Sequence, residues 1–150
     1  CRTVDPKFLE GVNRKKPRTM EELEDLWYQT QNADGNRYTH YNSSRYRVCN
    51  LHSFFHGHHT IEFRLFQFDC PHDGKQNGMH AGQVKSFIQL CLAINQLAKM
   101  VRTASPKPQQ TENEKYAMRC WMLRLGFIGD EFKTAREYYL NNMEGNSAWR

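Results

Sequence analysis

Long apolar runs are missing from this 150-residue chain: nothing approaches the roughly 18 consecutive apolar residues that a spanning helix needs, so none of its helices is expected to cross a membrane. No G-x-x-x-x-G-K-[S/T] loop occurs, and Ser43-Ser44 is no G-x-S-x-G elbow, which excludes a P-loop nucleotide site and a hydrolase-type nucleophile. The five cysteines, at 1, 49, 70, 91 and 120, are odd in number and show neither C-x-x-C nor a short repeated spacing. That argues against a disulfide framework and for reduced thiols in a cytoplasmic protein, with Cys91 and Cys120 as small core residues. Internal repeats and low-complexity tracts are also lacking. Strong charge of one sign is absent, since 21 Lys and Arg against 16 Asp and Glu leave only +5. Such a balance permits an anionic partner without the concentrated basic face of a dedicated nucleic-acid binder.

What the chain does have is aromatic mass, with 9 Phe, 7 Tyr and 3 Trp, which argues for a packed core and against disorder. Residues 1–18 carry six basic residues, two prolines and little periodicity, and are expected to form an extended basic lead-in. Thr19 with Glu22 forms a capping box, and Met20, Leu23, Leu26 and Trp27 follow at helical spacing to about Gln29. Turn chemistry fills 32–36. Strands are expected at 45–51 and, more strongly, at 60–68, where β-branched and aromatic residues alternate with charged ones. A Pro- and Gly-bearing loop at 69–79 precedes a long helix from His80 to about Arg102, whose wide apolar stripe suits packing across a sheet. Ser105-Pro106-Lys107-Pro108 ends it. A further helix runs from the Thr111/Glu114 capping pattern to Leu125, stopped by Gly126, and a last one from Asp130 to about Met143, with Trp149 expected to dock beyond it. The fold class is therefore α+β, an antiparallel sheet packed against helices and followed by a helical segment.

Chemistry concentrates in Thr60-Ile61-Glu62-Phe63-Arg64-Leu65-Phe66. A strand period of two puts Glu62 and Arg64 on one face, with Ile61, Phe63 and Leu65 on the other. Spaced roughly 6.5–7 Å along the strand, the two charged side chains can converge on one anionic ligand, the carboxylate holding Mg²⁺ and the guanidinium gripping phosphate. A structural ion pair on a solvated sheet face is the other reading, and residue types alone favour it.

The ordered combination of Ser44-Arg45-Tyr46-Arg47-Val48-Cys49-Asn50-Leu51-His52-Ser53, then His59-Thr60-Ile61-Glu62-Phe63-Arg64-Leu65-Phe66, then a long helix, resembles the amidoligase family of glutamine-synthetase-like carboxylate–amine ligases. The resemblance is good from about Trp27 to Leu97, and the closing Glu144-Gly145-Asn146-Ser147-Ala148-Trp149-Arg150 is similar to the tail of some members. It implies a partial glutamine-synthetase-like sheet and an ATP- and Mg²⁺-dependent reaction in which a carboxylate is phosphorylated and an amine then forms the amide. By the same resemblance Glu62 is the metal ligand, Arg64 the phosphoryl contact, and Arg45 and Asn50 bind substrate or nucleotide. The implied partners are small-molecule or peptide carboxylates and amines. Arg45 and Asn50 have opposite strand parity, so a regular strand would not aim both into one site.

The chain departs from the family pattern in one respect. The Gly-x-Glu-x-Glu strands that carry the family's other metal ligands have no counterpart; Glu22 and Glu24 have the spacing but sit in a helical pattern and read as a solvated helix face. With Cys1 in place of Met at the start, the expectation is the C-terminal portion of a ligase, inactive by itself, with 1–18 as lead-in, 19–104 as the ligase part and 105–150 as a helical extension. His56, His58 and His59, with His52 upstream, read as a polar hairpin loop; a zinc site using two of them plus Asp69 or His72, or a nuclease built on them, lacks the helical presentation and acidic context such sites use. A competing function is a basic nucleic-acid-binding module using residues 2–18 and the Arg37, Arg45, Arg47 strip with Tyr38, Tyr41 and Tyr46 as stacking platforms.

Overall fold

A computed structural model describes residues 1–31, 36–66 and 80–148. The expected loop at 69–79, most of the turn at 32–36, the end of the second strand, Asp69, Cys70, His72 and Trp149 lie outside the described residues. Helices dominate and the sheet is small. In chain order the elements are α1 (Pro6–Lys15), α2 (Met20–Thr30), a 3-10 turn (Ser43–Tyr46), β1 (Cys49–Asn50), α3 (His52–His56), β2 (Glu62–Phe63), α4 (Ala81–Met100), α5 (Glu114–Arg124), a second 3-10 turn (Asp130–Phe132) and α6 (Lys133–Asn141). They form two compact units, the first holding Cys1–Phe66 with Ser105–Lys107, the second the described residues up to Ala104 and from Pro108 onward. Among the described residues no helix is long and apolar enough to cross a membrane.

The first unit corrects the expected lead-in. Asp5 caps α1 by accepting from the Lys7 amide at 2.8 Å, Pro6 supplies the preset first-turn φ, and Arg14 and Lys15 lie at the negative end of the helix dipole. Phe8 then meets Trp27 edge-on at 5.1 Å, and Leu26 completes a core that Val4, Val12, Leu23, Tyr28, Leu51 and Phe55 border. Helices α1 and α2 come close because Gly11 has no side chain: a Cβ there would lie 2.8 Å from a Leu26 methyl. The Thr19 cap is as expected, accepting from the Glu22 amide at 3.2 Å, while the reciprocal bond of Glu22 goes to the Arg18 amide at 2.7 Å.

The strand at 45–51 contracts to Cys49–Asn50, because Asn42 accepts from the Ser44 amide and starts a 3-10 turn, and Asn50 then accepts from the His52 amide and starts α3. The two strands pair antiparallel with Cys49 opposite Phe63 and Asn50 opposite Glu62. On the other side of this segment Arg2 bridges Arg47 in parallel, with Val48 donating to the Arg2 carbonyl at 2.8 Å. His52–His56 is helical, so the expected hairpin loop begins with a helical turn.

In the second unit α4 packs on α6. Tyr139 donates to the Ser86 carbonyl at 3.0 Å, and Gln83 donates to the Tyr138 hydroxyl at 2.7 Å. Asn113, rather than Thr111, caps α5 by accepting from the Tyr116 amide at 3.0 Å. Gly126 at φ +82° ends that helix in a Schellman turn, with Phe127 donating to the Met122 carbonyl and Gly126 to that of Leu123, both at 3.0 Å.

Candidate active site

Glu62 stands opposite Asn50 in the ladder, so both side chains emerge on one face. Asn50 is fully buried and its amide group is wholly employed: Nδ2 donates to Glu62 Oε2 at 2.8 Å and to Ser53 Oγ at 3.2 Å, while Oδ1 accepts from the His52 amide at 2.8 Å. Ser53 Oγ in turn donates to Glu62 Oε1 at 2.9 Å. Arg64, two residues along the same strand face, closes the set with Nε at 3.1 Å and Nη2 at 2.9 Å from Oε2. The shared face of Glu62 and Arg64 is thus as the strand period implies, and the two converge on each other.

These donors act together on one charge. The Asn50 amide, then the Arg64 guanidinium, hold the Glu62 carboxyl down to about 2, with Ser53 helping and partial burial opposing. Glu62 is therefore an anion at any physiological pH, and its side chain is still 39% exposed. Oε2 already accepts from Asn50 and Arg64, whereas Oε1 accepts from Ser53. Among the described residues no group of three His, Cys, Asp or Glu side chains could hold a metal. Among these residues a free cation lacks a cage, but a divalent ion already carried by phosphates needs only one or two protein carboxylates, and Glu62 Oε1 fits that requirement.

Arg45, expected on one strand with Asn50 but facing the other way, stands on the 3-10 turn instead. Its guanidinium carbon lies 5.1 Å from the Tyr41 ring centre and 5.9 Å from that of Tyr46, and Nη1 donates to the His40 carbonyl at 3.3 Å. Arg64 lies 5.9 Å from the same Tyr46 ring, so Tyr46 links Arg45 to the Glu62 network. Sequence reasoning missed Ser53; its signal was the Asn-x-x-Ser spacing after a short strand, visible only once α3 turns the chain back.

On the other side of α3 lies a second polar cluster. His52 is buried, with Nε2 at 2.9 Å from the Thr39 carbonyl and Nδ1 at 2.6 Å from the Tyr28 hydroxyl. A carbonyl can only accept, so Nε2 carries the proton and Nδ1 accepts from the tyrosine. Burial keeps His52 below the ordinary histidine range despite the Thr39 carbonyl, and burial with the nearby Glu24 charge keeps Tyr28 protonated. Glu24, read as a solvated face, is only 20% exposed and meets His56 Nε2 at 2.8 Å. Arg37 bonds Asp25 at 2.6 Å and stands 3.5 Å from Glu24. Arg47 is also committed, donating to the Thr3 and Gln31 carbonyls at 2.9 and 2.7 Å. A shallow groove of about 750 Å³ between α1 and α2, bordered by Lys7, Arg14 and Lys15, includes none of the Glu62 network.

Comparison with known proteins agrees with the motif order. A family model described as "Putative amidoligase enzyme" matches residues 1–95. No curated protein and no solved structure matches the chain.

Proposed function

The chain belongs to the amidoligase family, and from that premise we propose that residues 1–66 supply one wall of a site that joins a carboxylate to an amine at the expense of ATP. The observation that carries this reading is the Glu62 carboxylate, kept ionised at an open edge by Asn50, Ser53 and Arg64. In such a reaction a substrate carboxylate oxygen attacks the γ-phosphorus and ADP leaves; the amine then attacks the acyl carbon, phosphate departs with the bonding electrons, and a proton is lost from nitrogen. Magnesium, when bound with the nucleotide, would neutralise phosphate charge, and Glu62 Oε1 is an atom of the described residues that would hold it.

Each residue has a distinct part in this reading. Glu62 places the negative end of the site, and Arg64 turns from Oε2 toward phosphate oxygens when they arrive, exchanging one charge-assisted bond for another. Asn50, with no polar atom to spare, positions Glu62 rather than touching substrate. Arg45 reaches the nucleotide from the 3-10 turn. The remaining carboxylates that a ligase needs around its metal come from outside this set, so nucleotide binding is a surer readout than turnover.

The test is titration of Mg·ATP into the 150-residue chain, with Glu62→Gln and Arg64→Leu alongside. About tenfold weaker binding for each variant is expected, one charge-assisted bond being worth roughly 1.5–3 kcal/mol before solvent screening. Unchanged binding in both variants would remove the site. The nucleic-acid reading draws less support, because Arg37 and Arg47 of the basic strip are engaged by acids and backbone carbonyls.

A further inference from the structure

The Glu62–Arg64 pair carries no net charge, yet a chain of aromatic and cationic groups leads away from it. Tyr46 touches Arg64 at 5.9 Å and Arg45 at 5.9 Å, and Arg45 continues to Tyr41 at 5.1 Å. Tyr41 is itself held edge-on by His40 at 4.6 Å. A single exposed tyrosine is ordinary. Here Tyr41 is 75% and Tyr46 51% exposed, both are ordered against one guanidinium, and Arg45 makes no ion pair among the described residues. The row thus ends in an open π-face, with a cation behind it and the phosphate-facing arginine at its far end. A ligand that matches this sequence of groups has a flat aromatic ring, an anionic stretch and a reactive terminus, in that order.

We infer that Tyr41 and Arg45 form the platform for the purine base of the nucleotide, with Tyr46 bridging that platform to Arg64. The inference rests on the proposed ligase reading and extends it to the end of the nucleotide remote from the chemistry. Stacking on Tyr41 and a cation–π contact through Arg45 are sequence-tolerant and need no hydrogen-bond code, so the platform would accept purines generally. Tyr41→Phe keeps the π-face and Tyr41→Leu removes it. Neither substitution disturbs a buried contact.

The experiment compares ATP with inorganic triphosphate by isothermal titration in magnesium, for wild type, Tyr41→Leu, Tyr41→Phe and Arg64→Leu. Wild type should bind ATP roughly 5- to 150-fold more tightly than triphosphate, the range that stacking of one base provides. Tyr41→Leu should erase that difference by weakening ATP alone, Tyr41→Phe should retain it, and Arg64→Leu should weaken both ligands in parallel. If Tyr41→Leu leaves the ATP-to-triphosphate ratio unchanged while Arg64→Leu weakens both, the platform is wrong and the ligase wall stands. If Arg64→Leu alters neither ligand but Tyr41→Leu still lowers ATP, the platform stands and the assigned chemistry at Arg64 falls. Failure of wild type to bind either ligand overturns both. A single-stranded oligonucleotide that binds more tightly than ATP, with a steep salt dependence, would overturn the free-nucleotide platform in favour of nucleic acid.

Discussion

Two polar clusters share the single turn of α3 and treat charge in opposite ways. Ser53 faces β2 and joins Asn50 and Arg64 in stabilising the Glu62 anion, whereas His52, one residue earlier, is buried against Tyr28 and Thr39 as a neutral ring. Burial alone would neutralise both groups; what separates them is the number and kind of donors. Glu62 receives an amide, a hydroxyl and a guanidinium and stays open to solvent. His52 receives one hydroxyl and gives one proton to a carbonyl, enough to satisfy a neutral imidazole and no more. The lesson is that adjacent residues on one helical turn can build an anionic edge and a neutral support, the second fixing where the first stands.

The sharpest way to break this contrast is Asn50→Ala, which removes one donor to Glu62 Oε2, the bond to Ser53 Oγ and the acceptor of the His52 amide at the start of α3. A loss of about 2–4 kcal/mol in urea unfolding is expected, together with a rise in the Glu62 titration point followed by carboxyl NMR; a loss no greater than that of a surface substitution would show that Glu62 is not held from behind. Next in size is an acid-side effect. The Glu62 carboxyl in the folded state lies at about 2, below its ordinary 4.5, so the stabilisation is complete above about 4.5 and disappears as pH falls toward 2. Urea midpoints across that window should fall less steeply for Glu62→Gln than for wild type.

The histidine cluster should respond earlier. Because His52 is held below 6.5 when folded, the unfolded chain takes up the proton more readily, and stability should decline as pH drops beneath about 6.5. His52→Gln should flatten that part of the profile while leaving the one below 4.5 intact; overlap of the two windows would mean that the clusters are not independent. The smaller effect belongs to Tyr28→Phe, about 1 kcal/mol for one hydrogen bond to His52. Arg37→Ala should register below that, since its ion pairs are partly exposed. A large Arg37 effect would move the weight of the second cluster from α3 to the α2 surface.

Much of this was readable from local pattern. The Thr19 cap, the extent of α4, the stop at Gly126 and the common face of Glu62 and Arg64 each depend on neighbours within a turn or two, where propensity and period suffice. The 1–18 region misled because six basic residues masked a short amphipathic set, Phe8 and Val12, although Asp5-Pro6 was a helix start in plain view. The strand at 45–51 looked long because its residues suit strands, while the Asn42 and Asn50 side chains, which cut it short, act through hydrogen bonds that residue averages do not register. Glu24 against His56 and Ser53 against Glu62 join segments 32 and 9 residues apart, and no periodicity encodes such meetings. The site was therefore legible as a pair of charges and illegible as a network.

Arg47 has a bearing on how small a stably folded piece of this protein can be. One guanidinium grips carbonyls of Thr3 and Gln31 at once, while the backbone on either side exchanges hydrogen bonds with Arg2. A lysine ammonium has no planar fork with which to hold both carbonyls in one geometry. The opening residues are thereby sewn to the segment that carries Asn50, and trimming them would slacken the Glu62 edge from a distance.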